Sequence, residues 1–190
     1  MSLFHSDAFL AFRSRDFSLL SVNQLCLILA IMIQEVVIAY SVYQLTQNPL
    51  SLGMIALIEL LPFICLSLIS GDWADRYNRQ KIVQWSFSCS TLIPLLFIVL
   101  FSQYQQQHIQ QNTLLCGIYS LIFCLGVLRG IYSPSFNSLR PFLTPESAYS
   151  NAATWTALIW QMGGILAPLC AGLLLGQLGL EKTLLIVFFL

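Results

Sequence analysis

The sequence has 190 residues, 57% hydrophobic and 8% charged, with eight Lys and Arg against eight Asp and Glu and no net charge. An ordinary soluble domain is about 45–50% apolar and about 25% charged, so a soluble fold has too little interior to hide this chain. No basic patch interleaved with aromatics is present, which excludes a nucleic-acid binder.

Residues 1–16 read as a cytoplasmic N-terminus and not as a secretory signal, because they carry no apolar core ahead of a small-residue cleavage site. A helix that crosses the hydrocarbon core needs about 20 mostly apolar residues. Such stretches run over 17–43, 51–71, 82–103, 113–132 and 151–176, and an apolar fragment covers 183–190. The expected fold is an all-α membrane protein. The connectors are polar: Thr46-Gln47-Asn48-Pro49, a glutamine-rich loop over 103–112, and 133–150 with Pro134, Pro141 and Pro145 as helix breakers. Thr144-Pro145-Glu146 is expected to open a short interfacial helix, with Thr as N-cap and Pro at the first position. The final fragment would span about 12 Å, less than half of a roughly 30 Å core. The chain is therefore expected to be a truncated piece whose sixth helix is incomplete.

Cytoplasmic loops carry the Lys and Arg excess. Arg13, Arg15, Arg76, Arg79, Lys81 and Arg140 fall on one side of the alternating spans, and Lys182 on the other. This places the N-terminus in the cytoplasm. Cys26, Cys65, Cys89, Cys116, Cys124 and Cys170 all lie in apolar segments without metal-ligand spacing. They read as packing residues, with no metal site and no disulfide framework.

Ionisable residues inside a span are costly and mark function. Glu35 lies in the second half of helix 1, Glu59 near the centre of helix 2, and Arg129 late in helix 4. Gln24 and Glu35 are about three turns apart and share a face, whereas Gln34 points about 100° away from Glu35. Glu59 and Ser70 share a face on helix 2, and Pro62 loosens that helix one turn beyond Glu59. Each charged residue also has a structural reading: Glu35 and Arg129 snorkelling to the two interfaces, Glu59 as a protonated carboxyl bonded between helices. Glu59 is the deepest and the leading candidate for proton exchange. Low dielectric favours the neutral form of a carboxyl, and a permanent pair with Arg129 is left open because Arg129 lies toward the inner face.

Helix 5 carries two rows of small residues, Gly164, Pro168, Gly172 and Gly176 beside Gly163, Ala167 and Ala171. Such rows let helix backbones approach closely in lipid, either as static packing or as a seam that slides. The segment Gly71-Asp72-Trp73-Ala74-Asp75-Arg76-Tyr77-Asn78-Arg79-Gln80-Lys81 reads as a tight inner loop, with Asn78 expected in a left-handed turn and Asp75 in reach of Arg76 and Arg79.

That loop resembles motif A of the major facilitator superfamily: Gly71, Asp75, Arg76 and Arg79 match, Asn78 replaces the second glycine, and Gln80 departs from a basic position with Lys81 one place later. The rows of helix 5 resemble the family's antiporter motif, with alanine for two glycines and Thr154 at the earlier glycine. Phe12–Phe17, Val42–Thr46, Pro49–Gly53, Arg129-Gly130, Ser133-Pro134, Asn151–Ala153 and Trp160-Gln161 resemble the group that holds enterobactin exporters and related drug-type efflux proteins. The resemblance implies a twelve-helix protein in two halves, of which this is the N-terminal six-helix half with its sixth helix cut short. It also implies alternating access about a midplane site, with Asp75 and Arg76 latching the missing C-terminal half. The function this implies is proton-coupled export of drug- or siderophore-like molecules from a bacterial inner membrane, needing a proton gradient and no cofactor. Its expected partners are the lipid bilayer and a small-molecule substrate. An inactive remnant of such a transporter is the second reading. A receptor or enzyme is the third, and it lacks support: there is no nucleophile–base pair, and His5 and His108 stand alone.

Overall fold

The structure, a computed structural model, describes the backbone of residues 15–76, 78–143 and 149–190, and their side chains except at 15, 16, 20, 71–76, 137, 139–143 and 149. Five helices follow in order: α1 (Arg15–Thr46), α2 (Leu50–Arg76), α3 (Arg79–Gln105), α4 (Gln111–Leu143) and α5 (Tyr149–Phe189). Among the described residues there is no strand. All five helices are long and apolar enough to cross a membrane. α1 packs mainly on α5, α2 on α4, and α3 against both α4 and α5. Val37, Phe97, Leu114, Ile118 and Leu184 lie at the fully buried centre. α2 is the most peripheral helix. Leu57, Leu61 and Leu68 on it are exposed, and apolar surface on that scale requires lipid or another helix.

Three boundaries correct the sequence reading. α2 continues through Gly71 to Arg76, so most of the expected loop is helix. Asn78 is not left-handed. Its backbone is extended (φ −66°, ψ 107°), and it caps α3, its side chain accepting from the backbone N–H of Gln80 at 3.0 Å and of Lys81 at 3.4 Å. An asparagine in that position satisfies N–H groups that the helix start leaves without partners. Among the described residues, the non-glycine residues with positive φ are instead Gln47 (φ 51°) and Gln107 (φ 59°). The expected interfacial helix at Thr144-Pro145-Glu146 lies outside the described residues.

α4 does not stop near Tyr132 but runs through Pro134 and Pro141 to Leu143. Proline has no N–H, so Pro134 leaves the carbonyl of Gly130 without its helical partner. The Ser70 hydroxyl of α2 donates to that carbonyl at 2.7 Å. A neighbouring helix thus satisfies the freed group, the condition under which proline is tolerated inside a span.

α5 has 41 residues, about 60 Å if straight, twice the thickness of the hydrocarbon core. It is broken at Gly179 (φ 78°, ψ 177°), a conformation that side chains with a Cβ rarely adopt. The segment beyond it folds back: Leu184 and Val187 enter the same core as Ala167 and Ala171. The sixth stretch expected at 183–190 therefore exists as a helical return, and the connector is a single glycine reversal.

α2 and α4 meet backbone to backbone. A Cβ added at Gly126 would overlap the Glu59 carbonyl oxygen. One at Gly130 would lie 2.9 Å from Leu66 Cβ and 3.1 Å from the Phe63 carbonyl oxygen. Gly126 and Gly130 form a small-xxx-small pair of the kind that permits such an approach in lipid.

Candidate functional site

The close approach of α2 and α4 decides where the charges go. With the Glu59 backbone seated on Gly126, Arg129 one turn along α4 reaches across to the Glu59 side chain. Arg129 Nη1 donates to Glu59 Oε1 at 2.7 Å and to Glu35 Oε1 of α1 at 3.1 Å. One guanidinium nitrogen therefore holds carboxylates from two other helices. The separate snorkelling readings of Glu35 and Arg129 are corrected, and the pairing of Glu59 with Arg129, left open by the sequence, is formed. Because α4 extends to Leu143, Arg129 sits near its middle rather than near its inner end.

The cluster opens on a cavity of about 190 Å³ walled by α1, α2, α3, α4 and the return segment of α5. Gln34 lines it beside Glu35 despite its helical offset, and Tyr132, Ser90 and Thr91 add hydroxyls. Gln24, three turns back on α1, does not share this cavity. It lines a second one of about 290 Å³, which meets the first at Leu27, Ile31, Arg129 and Tyr132. Phe87 of α3 packs edge-on against Tyr132, with centroids 5.0 Å apart, and against Phe136 at 5.9 Å. That aromatic wedge sets the position of Tyr132 between the two cavities.

Sequence reasoning missed Gly126, Tyr132 and the α3 hydroxyls, and named Gly130 only as part of a family resemblance. The Gly-x-x-x-Gly spacing of Gly126 and Gly130 was a readable signal. The serine and threonine of α3 had none, since hydroxyls recur throughout the spans. Ser70, expected to share a face with Glu59, does so: both point at α4.

The other sequence-derived sites fall elsewhere. Gly71, Asp75 and Arg76 lie on the last turns of α2, and their expected latch contacts involve side chains outside the described residues. Arg79 and Lys81 occupy the first turn of α3. The two rows of helix 5 separate. Gly163, Ala167 and Ala171 are buried, a Cβ at Gly163 running into Ile28 Cγ2 of α1, whereas Gly164, Pro168, Gly172 and Gly176 are exposed.

Two carboxylates about one guanidinium leave one excess negative charge when all are ionised. Such a group, enclosed by membrane-length helices and open to a cavity, is suited to hold a proton or a cation. These features define a multi-pass membrane protein with a polar site between its helices. The chain belongs to the Major Facilitator Superfamily, which it matches over residues 20–190. That makes it a member of a transporter family rather than an enzyme. It is 26% identical over 136 residues to the uncharacterized MFS-type transporter YkuC of Bacillus subtilis, covering 70% of this chain and 29% of that protein. It is 24% identical over 128 residues to the staphyloferrin A transporter of Staphylococcus aureus, covering 67% and 31%. A further relative, the uncharacterized MFS-type transporter YfiS of Bacillus subtilis, is 24% identical over 147 residues, covering 77% and 32%. The chain thus spans about three tenths of the length of the curated relatives it matches. No solved structure gives a significant match.

Proposed function

We propose that this chain supplies one half of a proton-coupled exporter of small organic molecules, drug- or siderophore-like, in a bacterial cytoplasmic membrane with its N-terminus inside. The observation that carries the reading is Arg129 held between Glu35 and Glu59 beside a cavity. A proton on either carboxylate and a cationic group of a substrate would compensate the same excess negative charge. Binding of one then disfavours the other, which is what exchange in opposite directions requires. A ligand biases a two-state protein by its differential affinity for the states, and proton occupancy of this cluster would supply that bias. The siderophore alternative draws support from the Staphylococcus aureus relative, a staphyloferrin A transporter. The remaining length of the relatives corresponds in this reading to a second half, against which the exposed faces of α2 and α5 rock about a midplane site.

The test uses the whole transporter in sealed vesicles. Glu59→Gln and Glu35→Gln each mimic a permanently protonated pair. Either is expected to abolish uphill, pH-driven export while leaving downhill exchange within about threefold of wild type, because the pair shares one proton. If Glu59→Gln still concentrates substrate with unchanged pH dependence and Glu35→Gln does not, the proton resides on Glu35 alone. If both variants behave as wild type, the cluster is structural.

A further inference from the structure

The second cavity holds a group that the proton reading leaves idle. Gln24 is 2% exposed, and its Nε2 makes no hydrogen bond. An amide N–H₂ buried without a partner is costly, and native proteins seldom leave one so. It lines the 290 Å³ space together with Phe63, Arg129, Tyr132, Phe136 and Trp160. The walls are apolar, aromatic at Phe63, Phe136 and Trp160 and aliphatic at Leu27, Ile28, Ile31 and Met32, and the polar edge offers donors: the Gln24 amide, the Tyr132 and Ser133 hydroxyls, and the Arg129 nitrogens other than Nη1, which have no partner among the described residues.

We infer that this cavity is a subsite for an uncharged oxygen acceptor, a carbonyl or ether carried on an aromatic body, read by Gln24 Nε2. An acceptor is required because the unpartnered atom is a donor. The acceptor is uncharged because Arg129, the cation lining the cavity, is already matched by two carboxylates, so a further anion would meet net negative charge. The aromatic body follows from Phe63, Phe136 and Trp160, against which a ring stacks. The two cavities meet at Arg129 and Tyr132, so one ligand can place its acceptor at Gln24 and a second group toward the carboxylates. The inference rests on the cluster being part of a transport site, and names the chemistry of the molecule carried.

The test measures binding to the purified protein in lipid nanodiscs by fluorine NMR, with empty nanodiscs subtracting partition into lipid. The probes are para-fluoroacetophenone, para-fluoroethylbenzene and para-fluorobenzoate, which share a ring and differ in the acceptor and its charge. The ketone is expected to bind about three- to tenfold tighter than the ethyl compound, the range of one net hydrogen bond, with the benzoate weakest. Gln24→Met should erase the preference for the ketone without lowering the melting temperature, because it removes a polar group that has no partner. Equal binding of ketone and ethyl compound overturns the inference, as does tightest binding by the benzoate, a ketone preference that survives Gln24→Met, or no binding by any probe. The wild-type comparison stands even if the variant misfolds. The two ideas fail separately: the ketone preference is read from binding to the wild-type protein alone, whereas the proton reading is decided by pH-driven transport in sealed vesicles.

Discussion

Arg129 binds two carboxylates through one nitrogen, so its loss leaves Glu35 and Glu59 facing each other. Arg129→Gln is expected to stop transport and to lower stability by about 1–3 kcal/mol, less than for a fully buried pair because the Glu35 side chain is 41% exposed. Thermal unfolding in detergent measures this. Adding Glu35→Gln and Glu59→Gln to that variant should recover most of the stability, since three neutral amides no longer repel. A single variant that melts with wild type would show that solvent, not Arg129, screens the carboxylates. Each of the three residues stood out in the sequence as an ion within an apolar span. Their meeting did not, because Pro134 reads as a helix end and places Arg129 at the wrong depth.

Helix contacts set that depth. Gly126 and Gly130 bring α4 against α2, and Ser70 satisfies the carbonyl that Pro134 frees. Gly126→Ala should push the Glu59 carbonyl away, cost about 1–3 kcal/mol and lengthen the Glu59–Arg129 contact. Gly172→Ala makes the contrasting case. Nothing lies within 4 Å of its added methyl, so stability should hold or rise by up to about 1 kcal/mol through helix propensity. Paired melting curves decide between them, and equal destabilisation would mean that both glycines pack alike. A Gly172→Ala protein that is stable yet fails to transport would assign the exposed row of α5 to a moving contact. The sequence marked both rows of α5 as small, and only packing, of Gly163 against Ile28 and of Ala167 and Ala171 in the core, separates the buried row from the exposed one.

At the scale of the whole molecule, the question is which end of the bundle faces the cytoplasm. α3 runs from Arg79 to Gln105 and is long enough to cross the membrane, so Arg79 and the exposed Gln107 lie at opposite ends of one span. In the proposed orientation the Arg79 side, which carries the excess of Lys and Arg, faces inside. In a cysteine-less background, a cysteine at Arg79 should resist an impermeant thiol reagent in intact cells, and one at Gln107 should react. Labelling at Arg79 with protection at Gln107 would invert the protein.

Composition and hydropathy alone determined that the chain is helical, that it lies in a membrane and roughly where each span begins, because hydrocarbon demands long apolar helices whatever their neighbours. They also marked Glu35, Glu59 and Arg129, since an ion in such a span is conspicuous wherever it points. Tertiary structure alone decided which of these ions touch, where α4 ends, and that Gln34 joins Glu35 in one cavity while Gln24 lines another. The reason is distance between helices. Two glycines on α4 and one serine on α2 fix how closely those helices lie and whether α4 survives its proline, and no pattern along a single helix encodes its partner's position.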